Sequence, residues 1–105
     1  MNLKISALEF AQQVQNGNIS AEDFVVESIQ RIQKIDGDLH AFLSVNDDAI
    51  EQAKTIDKKI KSGDKVGACF GMPISIKDNM CIKNSKTTCA SKMLENFIAP
   101  YDATV

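Results

Sequence analysis

Three stretches of the chain carry apolar residues at helical spacing behind a polar start signal. Ser6-Ala7-Leu8-Glu9 has the form of a capping box, and Ala7, Phe10, Ala11 and Val14 follow on one face until Asn16-Gly17. Ser20-Ala21-Glu22-Asp23 opens a second helix in the same way, its acidic first turn matched to the positive end of the helix dipole. The apolar face there is Val25, Ile29 and Ile32, flanked by Phe24 and Ile35, and Asp36-Gly37 is the expected stop. Asn46 or Asp47 then caps a third helix with the stripe Ala49, Ala53, Ile56 and Ile60, closed by Ser62-Gly63. The pattern predicts helices over 7–16, 21–35 and 48–61.

Elsewhere the pattern is that of strands and turns. Ala41-Phe42-Leu43-Ser44-Val45 is a short apolar run between turn signals and predicts a strand. After a linker over 64–70, Gly71 and Pro73 punctuate the entry to a second strand over 73–77. In it Ile74 and Ile76 share one face, and Ser75 and Lys77 the other. Asp78-Asn79 favours a turn, and Met80-Cys81-Ile82 extends the strand after a kink. A short helix is expected within 91–97, and Asp102 is read as the cap of a helix starting at Ala103. Strands this apolar need partners on both sides, in a sheet that the chain does not contain. The expectation is therefore the N-terminal piece of a longer protein.

Composition narrows the function classes. The 105 residues are 44% hydrophobic and 25% charged with a net charge of −2, which is that of one modest globular core without a general basic footprint for nucleic acid. No apolar run approaches membrane-spanning length, and Met1-Asn2-Leu3-Lys4 lacks a signal-peptide core or an Arg-rich transit pattern, so a cytoplasmic location is expected. Cys69, Cys81 and Cys89 form an odd set without a paired framework, read as free thiols, and Cys89 as a small buried hydrophobe. A zinc site is not expected, since the chain has no C-x-x-C and its single histidine, His40, lies far off in sequence. Lys54, Lys58, Lys59 and Lys61, interrupted by Glu51 and Asp57, read as a solvated helix face rather than an RNA patch.

The chemistry sits at Lys77. A lysine ending a strand beside an Asp is most often a solvated end residue. One carried into a semi-buried cleft can serve as a base, because burial disfavours the charged form. Gly-x-Pro-x-x-x-Lys-Asp-Asn over 71–79, followed by Thr87-Thr88-Cys89-Ala90-Ser91-Lys92-Met93-Leu94, resembles the amidase signature family, and within it the A subunits of glutamyl-tRNA(Gln) amidotransferases. The likeness covers the whole chain in layout and is most specific over 71–105.

The resemblance implies an α/β fold, the N-terminal part of the amidase signature fold, with helices packed on a mixed β-sheet whose remaining strands lie beyond this chain. The helical region would be 1–62 and the start of the catalytic core 66–105, with no complete second domain. It also implies that Lys77 is the base of a Ser–cis-Ser–Lys triad, with both serines downstream of this chain. Asp78 and Asn79 would fix the turn after Lys77, and Ser91 would help shape the site. The whole protein would release ammonia from glutamine for conversion of Glu-tRNA(Gln) to Gln-tRNA(Gln), in a complex with B and C subunits. ATP and Mg²⁺ would belong to the partner subunit, which would also hold most of the tRNA. No cofactor is expected on this chain, and the chain by itself is expected to be inactive. Two other readings stand beside this one: a stand-alone amidase of the same family acting on a small or aryl amide, and a non-catalytic helical interaction module.

Overall fold

The computed structural model describes residues 4–105, so the opening Met1-Asn2-Leu3, read above for targeting signals, lies outside the described residues. The chain divides into two compact units, Met1–Pro73 and Ile74–Val105.

The first unit is helical: α1 (Ala7–Gln15), α2 (Ala21–Leu39) and α3 (Ala49–Lys61). Both serine caps form, Ser6 Oγ accepting from the Glu9 N–H at 3.3 Å and Ser20 Oγ from the Asp23 N–H at 3.2 Å. Phe10, Val14, Ala21, Phe24, Val25 and Ala53 make the core, and Ile5, Ile19, Ile29, Ala49, Ile50, Ile56, Ile60 and Met72 pack against it. The rings of Phe10 and Phe24 meet at 4.2 Å between centroids, tilted by 41°, a favourable aromatic arrangement.

Gly71 runs under this core at φ 89°. A Cβ there would come within 3.2 Å of Val14 Cγ1, 3.3 Å of Ile56 Cγ2 and 3.4 Å of Ala21 Cβ, so glycine serves both the backbone angle and the close approach. The Gln15 side chain donates to the carbonyl of Gly67 at 3.1 Å, tying the linker back to α1.

Asp57 departs from the reading of a solvated α3 face. Its carboxylate accepts from Ser20 Oγ (2.7 Å), the Ala21 N–H (2.9 Å) and the Glu22 N–H (3.1 Å), so α3 caps the N-terminus of α2. Those amides are donors that a helix start leaves without intrahelical partners. Of the lysines on the same helix, Lys54 is half-buried and pairs with Glu51 at 2.7 Å, whereas Lys58, Lys59 and Lys61 are exposed on the outward face as read.

The helix ends need two corrections. α2 does not stop at Asp36-Gly37 but continues to Leu39, where His40 takes the left-handed cap at φ 52°. The Asp36 carboxylate accepts from the N–H groups of Ala41 (2.7 Å) and Phe42 (3.3 Å). Residues 41–45 therefore turn off the helix instead of forming the expected strand, and Leu43 is 79% exposed. At the start of α3 the N-cap residue is Asp48, without a side-chain cap bond. Asn46 acts one step earlier, its Oδ1 accepting from the Asp48 N–H at 3.0 Å in a local turn.

The second unit is built from turns. Among the described residues no strand forms, so the sheet of the expected α/β fold is not seen, and neither 73–77 nor 80–82 is extended in a ladder. The physical reason is the one the apolar pattern itself carries: a strand needs a neighbour to satisfy its backbone. Ile74 and Ile76 accordingly stand 68% and 41% exposed. What does pair is the far end of the unit. Lys86 and Ile98 make an isolated antiparallel bridge, and the Asn84 N–H donates to the Ala99 carbonyl at 2.7 Å.

The helix expected within 91–97 is a single 3₁₀ turn at Lys92–Leu94. Asp102 caps no helix. Its Oδ1 accepts from the Lys83 N–H at 2.8 Å, and the residues after it are not helical. Ala99 and Thr87 are the buried residues of this unit, and Thr87 Oγ1 has no hydrogen-bond partner.

Candidate functional site

Lys77, Asp78 and Asn79 occupy a turn closed by the Met80 N–H donating to the Lys77 carbonyl at 3.0 Å. Lys77 and Asn79 are exposed and Asp78 is half-buried. Lys77 thus leaves a turn, not the end of a paired strand, and the semi-buried cleft expected around it is not formed by the described residues. Ser75, expected to share a strand face with Lys77, is exposed on the unpaired segment before it.

The Asp78 carboxylate is the centre of the site's hydrogen bonding. The Thr88 N–H donates to Asp78 Oδ1 at 3.0 Å, and the Thr88 hydroxyl donates to Oδ2 in a short contact. The backbone takes part as well, with the Cys89 N–H donating to the Asp78 carbonyl at 3.0 Å. The Thr88 hydroxyl, and after it the backbone N–H groups of Thr88, Ala90 and Cys89, hold the Asp78 carboxyl below the usual carboxylate range.

The loop that supplies these donors has an unusual backbone. Cys89 and Ala90 lie at φ 50° and 56°, two consecutive non-glycine residues in the left-handed region. The N–H of Thr88, just before this turn, meets the Asp78 carboxylate, and the N–H of Cys89 meets the Asp78 backbone carbonyl.

The structure therefore joins the two halves of the motif, 71–79 and 87–94, through Asp78 and Thr88. Asn79 takes no part in the Asp78–Thr88 contact. Ser91 follows the loop, its N–H donating to the Thr88 carbonyl at 2.8 Å and its own carbonyl receiving the Leu94 N–H at 3.0 Å. Among the described residues its hydroxyl is not hydrogen-bonded to Lys77. Thr88 is the residue that sequence reasoning left without a role. The only signal for it was its place in the run after Lys77, because no glycine or asparagine marks the turn at Cys89-Ala90.

Cys89 is exposed, not the small buried hydrophobe expected of it, since the left-handed turn carries it to the surface. All three cysteines are free thiols. Among the described residues no group of three or more His, Cys, Asp or Glu side chains could hold a metal ion. Among the same residues no helix is long and apolar enough to cross a membrane.

The Lys77 turn is thus fastened through the Asp78 carboxylate to the loop that begins at Thr88. The chain belongs to the amidase family, whose description, Amidase, matches residues 23–105. The chain is 45% identical over 100 residues to the A subunit of glutamyl-tRNA(Gln) amidotransferase from Cenarchaeum symbiosum (strain A), covering 95% of this chain and 20% of that protein. It is 47% identical over 98 residues to the A subunit of the same name from Prochlorococcus marinus (strain NATL2A), covering 92% of this chain and 20% of that protein. It is also 47% identical over 89 residues to a glutamyl-tRNA(Gln) amidotransferase A subunit from Clostridium acetobutylicum, covering 84% and 19%. The chain thus spans about a fifth of the length of the curated relatives it matches.

Proposed function

We propose that the chain is the lysine-bearing N-terminal part of an amidotransferase subunit that releases ammonia from glutamine for the synthesis of Gln-tRNA(Gln). The observation that carries this reading is the identity of 43–47% across nearly the whole chain to proteins named as that subunit. The joining of the Lys77 turn to the 87–94 run supports it, because both parts of the motif meet in one small unit.

In this reading Lys77 is the base of a Ser–cis-Ser–Lys triad whose serines belong to further chain. A serine hydroxyl becomes a competent nucleophile only when a neighbouring base takes its proton. The proton passes through the second serine to the Lys77 amine, and the nucleophilic oxygen bonds to the carboxamide carbon of glutamine. The carbon–nitrogen bond breaks, the nitrogen takes up a proton and leaves as ammonia, and water then cleaves the ester to give glutamate. Ammonia is consumed at a partner subunit that holds ATP, Mg²⁺ and most of the tRNA, in a cytoplasmic complex with B and C subunits. Asp78 and Asn79 shape the turn, and Ser91 lies in the loop next to it. The Ile74–Ile76 segment pairs with strands of the same sheet in further chain. Residues 1–105 alone have no amidase activity, because the nucleophile is absent from them.

The test is made on the whole subunit in its complex. Lys77→Ala and Lys77→Arg abolish glutaminase activity, while external ammonia still supports tRNA amidation. Arg fails because it keeps its proton near neutral pH. Retention of most of the glutaminase rate by Lys77→Arg refutes the role of Lys77 as base. Hydrolysis of simple amides with no effect on tRNA amidation favours the stand-alone amidase.

A further inference from the structure

We propose that Asp78 and Thr88 form a positioning clamp, in which the Asp78 carboxylate and backbone carbonyl together fasten the loop that carries the left-handed turn at Cys89-Ala90 and fix the direction in which Lys77 leaves the chain. The inference rests on the reading of Lys77 as the reactive lysine, but its geometry stands apart from that reading.

Three bonds cross between the two segments. Thr88 reaches the Asp78 carboxylate from its N–H and from its hydroxyl, and Cys89 reaches the Asp78 carbonyl from its N–H. Asp78 is thus held from its side chain and from its backbone at once, which restrains both the rotation of the carboxylate and the tilt of the Asp78–Asn79 peptide. A single hydrogen bond would leave one of these free.

The loop side is as specific. Cys89 and Ala90 carry φ values that L side chains rarely adopt, and neither has the short polar side chain that eases this in Asn or Asp. Such a turn persists only where its surroundings over-determine it. In this unit the Asp78 carbonyl receives the N–H of Cys89, and the Asp78 carboxylate that of Thr88 just before it. An ordinary turn-fixing Asp after Lys77 would hydrogen-bond an amide two residues on. Here the partner is ten residues away. The role is therefore to fasten the Lys77 turn to the 87–91 loop, not to close the turn itself.

The test uses Asp78→Ala, Thr88→Val, their double variant and Thr88→Ser, which keeps the hydroxyl. The first readout is hydrogen exchange of individual backbone amides in the full chain. Asp78→Ala and Thr88→Val raise exchange at Thr88 and Cys89 about tenfold or more, with the amides of α1–α3 unchanged, and Thr88→Ser keeps the protection. The double variant exchanges no faster than Asp78→Ala, since the two side chains act as one unit. The second readout is ammonia release from glutamine by the whole subunit. Thr88→Val lowers kcat by about 10- to 100-fold, the size expected of an ångström-scale misplacement, with KM little changed, and Thr88→Ser restores kcat.

Unchanged exchange at Thr88 and Cys89 in both Asp78→Ala and Thr88→Val overturns the clamp whatever the activity. Equal kcat in Thr88→Val and wild type overturns its positioning role. If Lys77→Ala keeps full activity, the amidase reading of Lys77 fails and the positioning role falls with it, while exchange alone still decides whether the Asp78–Thr88 contact holds the turn.

Discussion

Replacing Asp57 by Ala tests whether the first unit is held by a polar tie as well as by its apolar core. The carboxylate accepts three hydrogen bonds, from Ser20 Oγ, the Ala21 N–H and the Glu22 N–H, at 2.7, 2.9 and 3.1 Å. They do not count equally. Ser20 keeps its own capping bond to the Asp23 N–H, and Glu22 is only half-buried, so water reaches its amide in the variant. Ala21 is fully buried, so its N–H loses its partner without a substitute. An unsatisfied buried donor costs about 1–3 kcal/mol, and a lost charge at a helix N-terminus adds about 0.3–1 kcal/mol. Asp57→Ala therefore destabilises by about 1–4 kcal/mol, a large share of the roughly 5–15 kcal/mol typical of a whole domain. Asp57→Asn keeps an acceptor for Ala21 and costs about 1 kcal/mol, chiefly the charge. Ser20→Ala costs about 1 kcal/mol as a lost cap, and the double variant falls short of the sum because the two side chains share a bond.

The assay is urea unfolding followed by far-ultraviolet circular dichroism. The midpoint for Asp57→Ala falls by on the order of 1–2 M with the slope unchanged. A midpoint for Asp57→Ala that corresponds to less than about 0.5 kcal/mol of change refutes the reasoning, since that is the range of an ordinary surface substitution. It would mean that the Ala21 N–H finds water or another acceptor when the carboxylate is gone.

Gly71→Ala destabilises by about 2–4 kcal/mol, from the left-handed backbone and from crowding against Val14 and Ile56; Gly17→Ala, at φ 73° with nothing within 4 Å, costs only the backbone part, and equal losses in urea unfolding would contradict the packing argument. Thr87→Val raises stability by about 1 kcal/mol, because it removes a buried hydroxyl that has no partner and keeps the shape; a clear loss in the same assay would show that the hydroxyl is bonded in solution. Asp78 has a folded pKa below its unfolded one, so its contribution is fully present above the ordinary carboxylate value of about 3.9 and is lost as pH falls through the lowered value. Protection of the Thr88 amide against exchange, followed from neutral pH down through the carboxylate range, falls in that window in wild type and shows no such step in Asp78→Asn; a step of equal size in both proteins would assign it to another group.

The helices were legible because each rests on information within one turn of itself. Ser6 and Ser20 cap the amides that the spacing indicates, and Phe10, Val14 and Val25 are buried on the faces their periodicity marks. The end of α2 was not legible, because the stop signal at Asp36-Gly37 competes with the Asp36 side chain, which caps the chain beyond His40 and lets Gly37 stay helical. Asp57 was misread because its position on α3 is that of a solvated residue, and only the packing of α3 against α2 reveals its partners.

The motif around Lys77 divides along the same line, and the division bears on function. The turn at 77–80 and its clamp to Thr88 need only about a dozen residues of chain, and they are formed. The strand over 73–77 needs a neighbour, and among the described residues it has none, so Ile74 and Ile76 stay exposed. A hydrophobic alternation says which face a strand will bury, but not that a partner is within reach. The same holds for the lysine. Its direction is set locally by Asp78, whereas the enclosure a lysine needs to act as a base comes from elements that must pack around it. The turn can therefore be complete while Lys77 remains exposed, and orientation and enclosure are separate contributions to one site. Substitutions at Thr88 act on the first alone, whereas the second is tested by substitutions that would weaken the strand pairing proposed for the Ile74–Ile76 segment.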